Sequence, residues 1–151
     1  MNVEFATEKI CEAINSGKIT LAGALKKQIS RYFSLFDSEP LFKMYVFVHT
    51  EQYFNANALK IVQIQIEKMS EDIKAIFASF IKDKSDKELK DLASACTSLI
   101  LQQLDVYIAV RKETIRLNPE TGAGSLFELP SDNNIINKAT RLAEAFVTSL
   151  M

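Results

Sequence analysis

Apolar residues return every three or four positions along most of this 151-residue chain, with polar residues in the opposite phase, and that periodicity predicts helices. The longest run covers 86–116. It follows Ser85-x-x-Glu88, a pattern in which a hydroxyl can cap the amide three residues on while the carboxylate reaches back. One apolar stripe on this helix is Leu89, Leu92, Cys96, Leu99, Val106 and Val110, broken only by Gln103. A second, Ala93, Ile100, Leu104, Ile108 and Ile115, lies about 100° further round. Two stripes need two partners. One can close the core of its own subunit; the other, rich in small residues such as Ala93, Ala95, Cys96 and Ala109, suits a close helix contact across a homodimer.

The other helices follow from the same pattern. Residues 7–15 make a short helix that Asn15-Ser16-Gly17 stops. Thr20 is positioned to cap a second helix with Leu21, Leu25, Ile29, Tyr32, Phe33 and Phe36 on one side. Pro40 sits early in a third, about 40–54, behind Asp37 or Ser38 as cap. Its first half is apolar nearly all round, so it is expected to be the most buried element; Met44 to Val48 also has strand-like composition, but the helical neighbourhood and the Pro favour helix. Asn55 and Asn57 bracket a break. Leu59, Val62, Ile66, Met69, Ile73, Ile76, Phe77 and Phe80 then hold helical phase, and Lys82-Asp83-Lys84 is a solvated turn. After Arg116 a long loop contains two of the four glycines and two of the three prolines, with Leu126, Phe127 and Leu129 able to pin it to the body. Ser131 or Asp132 caps a last helix, 132–150, carrying Ile135, Ile136, Ala139, Leu142, Ala143, Phe146, Val147 and Leu150, where Ala139-x-x-x-Ala143 admits a close backbone. The expected fold is all-α: an antiparallel bundle of about six helices, one domain over 1–151.

Composition narrows the function classes. Lys plus Arg number 18 against 19 Asp plus Glu, a net charge of -1, which supplies no electrostatic footprint for nucleic acid or an anionic membrane. Cys11 and Cys96 lack metal-site or redox spacing and read as small core residues of a reducing compartment. No stretch approaches about 18 uninterrupted apolar residues, and the N-terminus has no signal-peptide pattern, so a cytoplasmic location with no membrane partner is expected.

Candidate chemistry is sparse. The single histidine, His49, has no neighbouring nucleophile, so catalysis is not expected; it either faces a pocket or ends a helix partly in water. Glu67, Glu71 and Asp72 lack an accompanying His and stand beside Lys68 and Lys74, which reads as a solvated charged face rather than a metal site. Gly122-Ala-Gly124 is too short to cradle phosphate, and no cofactor is expected. The aromatic and methionine set Tyr32, Phe33, Phe36, Met44, Tyr45, Phe47, Tyr53, Phe54, Met69, Phe77 and Phe80 is mostly core, yet a cavity among helices two to four would be lined by it.

The order of elements, with Asp37-Ser-Glu-Pro-Leu-Phe opening one helix and Leu89-x-x-Leu-Ala-x-Ala-Cys-x-x-Leu-Ile-Leu in a later one, resembles the C-terminal regulatory domain of TetR-family transcriptional repressors. The resemblance covers nearly the whole chain and rests on layout. It implies that helices 86–116 and 132–150 pair with those of a second copy through Leu92, Cys96, Leu99, Gln103, Val106, Ala139, Leu142, Ala143 and Phe146. It also implies a pocket for a small hydrophobic or amphipathic ligand. The expected lining is Phe33, Phe36, Phe47, Val48, Tyr53, Ile66, Met69, Ile73 and Phe77, with His49 as a polar point. Such repressors bind DNA through an N-terminal helix-turn-helix unit that is not found here, so the chain is expected to be either the regulatory part of a longer repressor, the favoured reading, touching DNA only through that missing domain, or a natural protein that keeps only the dimerising, ligand-sensing part. The alternative expectation is a helical homodimeric interaction or adaptor module without a pocket.

Overall fold

A computed structural model describes residues 3–117 and 133–150, and these form six helices with no strand among them. They are α1 (Val3–Asn15), α2 (Leu21–Leu35), α3 (Glu39–Glu51), α4 (Ala56–Phe80), α5 (Asp86–Leu117) and α6 (Asn133–Leu150). The expected all-α bundle is what the chain forms. The loop with Leu126, Phe127 and Leu129, and the caps Ser131 and Asp132, lie outside the described residues.

Local chemistry sets the helix ends. Gly17 adopts a φ of 71°, and the amides of Gly17 and Lys18 bond back to the carbonyls of Ile14 and Ala13 at 2.9 Å, closing α1 in the left-handed turn that glycine enters without steric cost. Thr20 Oγ1 accepts from the Gly23 amide at 3.1 Å, and Asn55 Oδ1 accepts from Asn57 and Ala58 at 2.9 and 3.3 Å. At the start of α5 the reciprocal box is complete: Glu88 N donates to Ser85 Oγ at 3.2 Å, and Ser85 N donates to Glu88 Oε2 at 2.8 Å. Ser38 holds the cap position of α3 without a side-chain bond, and Pro40 occupies its first turn. Asp37, the other expected cap, turns away to α5 instead.

α5 is the hub, packing against α4, α6 and α2, while α6 also packs on α2, and α1 covers α4 and α2. The core it organises includes Leu25, Ile29 and Phe33 from α2, Ile73, Ile76 and Phe77 from α4, Ile100, Leu104 and Tyr107 from α5, and Val147 from α6, all without measurable exposure. Phe33 and Tyr107 meet with ring centroids 5.1 Å apart. Asp86–Thr114 is long and apolar enough to cross a membrane by length and composition, although polar residues interrupt its apolar run throughout. The bundle accounts for that character, because α5 supplies apolar side chains to three neighbouring helices.

α3 is the largest departure from expectation. It is helical from Glu39 to Glu51, as favoured over a strand, but far from being the most buried element it leaves Met44 60% and Phe47 65% exposed. The reason is geometric: its main backbone neighbour is α4, and one neighbour can cover only one side of a helix that is apolar on several.

Candidate functional site

Where α3 leans on α4 without filling the angle to α2, a groove of about 330 Å³ remains. Each wall is one helical face. Tyr32, Leu35 and Phe36 come from α2; Leu41, Met44, Tyr45, Val48 and His49 from α3; and Ile61, Gln65, Lys68, Met69 and Asp72 from α4. Leu104 of α5 completes the lining. Tyr32, Tyr45, Met69, Asp72 and Leu104 are buried and form the floor, whereas Leu35, Leu41, Met44 and Ile61 are exposed and form an apolar rim. The volume suits a small organic molecule, at the lower end of ordinary ligand sites.

The floor's polar side chains bond to one another, with Gln28 Oε1 left as a buried oxygen that has no hydrogen-bond partner among the described residues. Gln28 Nε2 donates to Tyr32 Oη at 2.9 Å and to Thr7 Oγ1 at 3.2 Å, and Tyr32 Oη donates to Asp72 Oδ2 at 2.9 Å. Lys68 Nζ stands 3.8 Å from Asp72 Oδ1. Across the groove, Tyr45 Oη donates to Asp105 Oδ1 at 2.7 Å, stacks on His49 with centroids 3.8 Å apart and meets the edge of Phe36 at 4.7 Å. His49 Nε2 is 3.1 Å from Gln65 Oε1. Burial, and then the charge of the neighbouring carboxylate, raises the pKa of Tyr32; burial and the bond to Asp105 do the same for Tyr45, so both phenols stay protonated as donors. A further polar cluster lies at the turn before α3, where Asp37 Oδ1 is 3.3 Å from the buried Arg111 guanidinium and accepts from Tyr107 Oη.

Of the expected lining, Phe36, Val48, His49 and Met69 come together in the groove. Phe33, Ile73 and Phe77 sit behind it in the core, with no exposure to either groove or solvent. Phe47 is on the other side of α3, over a shallow depression shared with Phe42, Val46 and Lys112. Tyr53 stands in the α3–α4 turn, 79% exposed, and Ile66 faces a polar cleft with Ser70, Lys74, Lys90 and Ser94. Helical phase explains these corrections: Phe47 and Ile66 occupy faces of α3 and α4 different from those that meet across the groove. Tyr32, Met44 and Tyr45 were legible as part of the aromatic and methionine set. Asp72 was not; it is 5% exposed, so the solvated carboxylate face expected there holds only for Glu67 and Glu71. Its one sequence signal is Lys68, four residues earlier on the same face. Among the described residues no group of three or more His, Cys, Asp and Glu side chains could hold a metal ion.

The residues expected between two subunits divide as well. Cys96, Ala139 and Ala143 have no exposure, and Leu92 and Gln103 retain 8% each, because α5 and α6 spend these positions on each other and on α2 and α4. The Ala139-x-x-x-Ala143 pair therefore admits a backbone of the same chain. Leu99, Leu142 and Phe146 are half-buried, and Val106, at 45%, together with Val110 and Leu150, is exposed.

Fold and site define a class: an all-α bundle with an apolar groove beside a loosely covered helix. No protein-family model matches the chain, and neither a curated protein nor a solved structure matches it.

Proposed function

We propose that this chain is a ligand-sensing regulatory domain of a TetR-like repressor. The observation that carries the reading is the 330 Å³ groove, with its apolar rim, buried methionine and bonded polar floor. A regulatory domain needs a site that can be empty or filled without unfolding the core, and this groove lies outside the layer formed by Phe33, Ile73 and Phe77. Self-association belongs to the same proposal and falls to the side chains of α5 and α6 that stay accessible: Leu99, Val106, Val110, Leu142, Phe146 and Leu150. The test is titration with the neutral apolar dye Nile red, before and after Val48→Trp, which fills the groove from the accessible helix. Saturable fluorescence that the substitution removes is the expected result. Unchanged dye binding would sink the reading.

The adaptor alternative draws on a different observation. Met44, Phe47, Tyr53, Phe54 and Ile64 are exposed large apolar residues on α3, the turn that follows it and the first half of α4. Such a surface suits a protein partner. Sedimentation separates the two faces: Val106→Glu dissociates a dimer built on α5 and α6, whereas Phe47→Glu dissociates one built on α3.

A further inference from the structure

The charges that face the groove are already balanced among the protein's own groups. Asp72 and Lys68 are lining residues of opposite sign. Asp72 is buried, accepts from Tyr32 Oη at 2.9 Å and lies 3.8 Å from Lys68 Nζ, and both members of the pair make further interactions besides. Neither can therefore turn to a ligand ion without giving up a partner. An ammonium or a carboxylate entering here would exchange water for an apolar wall and a closed pair, which penalises either sign. A neutral molecule meets no such cost and gains the burial of its apolar body against Met44 and Met69.

Hydrogen-bonding capacity is less evenly spent. Tyr32 commits its proton to Asp72, and Tyr45 commits its proton to Asp105 at 2.7 Å. Gln65 differs. It is half-buried on the α4 face that also sends Ile61 and Met69 into the groove, and among the described residues its amide makes one hydrogen bond, 3.1 Å to His49 Nε2. A primary amide has two N–H donors and an oxygen with two lone pairs, so most of that capacity remains. His49, stacked on Tyr45 with centroids 3.8 Å apart, holds the amide from one side. A ligand hydroxyl both donates and accepts, and so pairs with whichever end of the amide the imidazole leaves open, whereas a carbonyl or ether can only accept.

We infer that the groove takes a neutral, largely hydrocarbon molecule bearing one hydroxyl, with its apolar body along Met44 and Met69 and the hydroxyl on the Gln65 amide; this rests on the ligand-sensing reading above. The test is equilibrium dialysis of the full chain against naphthylmethanol, methylnaphthalene, naphthylmethylammonium and naphthoate, all substituted at the same ring position. The alcohol is expected to bind most tightly, about fivefold above the hydrocarbon, as one added hydrogen bond allows. It should exceed either ion by at least about tenfold. Gln65→Leu should lower the alcohol to the hydrocarbon's affinity and leave the hydrocarbon bound no more weakly, which shows that the groove is intact. An ion that binds as tightly as the alcohol, or an alcohol advantage that is absent or survives Gln65→Leu, overturns this inference; if Val48→Trp removes that binding, the groove stands as a ligand site. No saturable binding of any of the four, or binding indifferent to Val48→Trp, overturns both.

Discussion

The α5–α6 side and the α3 side of this bundle both carry apolar faces, and they end in opposite states although α3 is the more apolar helix overall. Around α5, Ala93, Cys96, Ala139 and Ala143 let helices approach until nothing of those residues is exposed, and Phe33, Ile100, Leu104 and Tyr107 fill the remaining space. On α3, Leu41, Met44 and Phe47 stay in water. The difference is the number of sides covered. α5 packs on three helices, whereas α3 packs chiefly on α4 and is held to α5 by polar tethers, Tyr45 to Asp105 and the adjoining Asp37 to Arg111 and Tyr107. An apolar helix with one packed neighbour leaves a groove, and an apolar helix with three makes a core.

The contrast predicts its largest effect in truncation. Ile100→Ala, on the closed side, should lower stability by about 3 kcal/mol, since it leaves a cavity in a fully packed site. Met44→Ala, on the groove rim, should change it by less than about 0.5 kcal/mol. Urea unfolding measures both, and equal losses would break the comparison.

The two tyrosines of the groove sharpen it from within. Tyr32→Phe removes the donor to the buried Asp72 and the acceptor of the buried Gln28, and should cost about 2 kcal/mol. Tyr45→Phe removes a bond to Asp105, which is exposed and can turn to water, so the expected loss is about 0.5–1 kcal/mol. A larger loss for Tyr45 would mean that α3 is more tightly held than its packing indicates.

Alkaline pH tests the closed side. Burial pushes the Cys96 thiol from its ordinary 9.0 up to about 12. Between these values the unfolded chain has released a proton that the native chain retains. The stabilisation is thus complete below about pH 9 and is lost as pH rises toward about 12, with a slope of up to about 1.4 kcal/mol per pH unit. Tyr32 and Tyr45, whose pKa values are also raised, add to the decline above tyrosine's ordinary 10.0. Cys96→Ala should flatten the stability profile between pH 9 and 10; an unaltered slope would show that the thiol is not enclosed.

The smallest effect is kinetic. Both cysteines are free thiols, Cys11 partly accessible and Cys96 buried, so a thiol reagent should label Cys11 in the native protein and Cys96 only at the rate of opening between α5 and α6. Equal labelling rates, read by mass spectrometry, would contradict the closed packing.

What the sequence by itself determined is the local part of this protein. Gly17, Thr20, Asn55 and the Ser85–Glu88 box mark helix ends through contacts between residues at most five apart, and such contacts are written in the order of the residues. Periodicity identified the apolar faces, which is why Phe36, Val48, His49 and Met69 were legible as groove residues. It could not say which neighbour covers a face. Ala93, Ile100, Leu104 and Ile108 of the second stripe and Leu89, Leu92 and Cys96 of the first are buried within one subunit, while Val106 and Val110, on that first stripe, are exposed. Only the tertiary structure decided this, and it alone placed Asp72 under Tyr32, 40 residues away, and Asp37 beside Tyr107, 70 residues away. The physical reason is that a helix's own period specifies the direction of a side chain, whereas burial depends on how many other helices reach it.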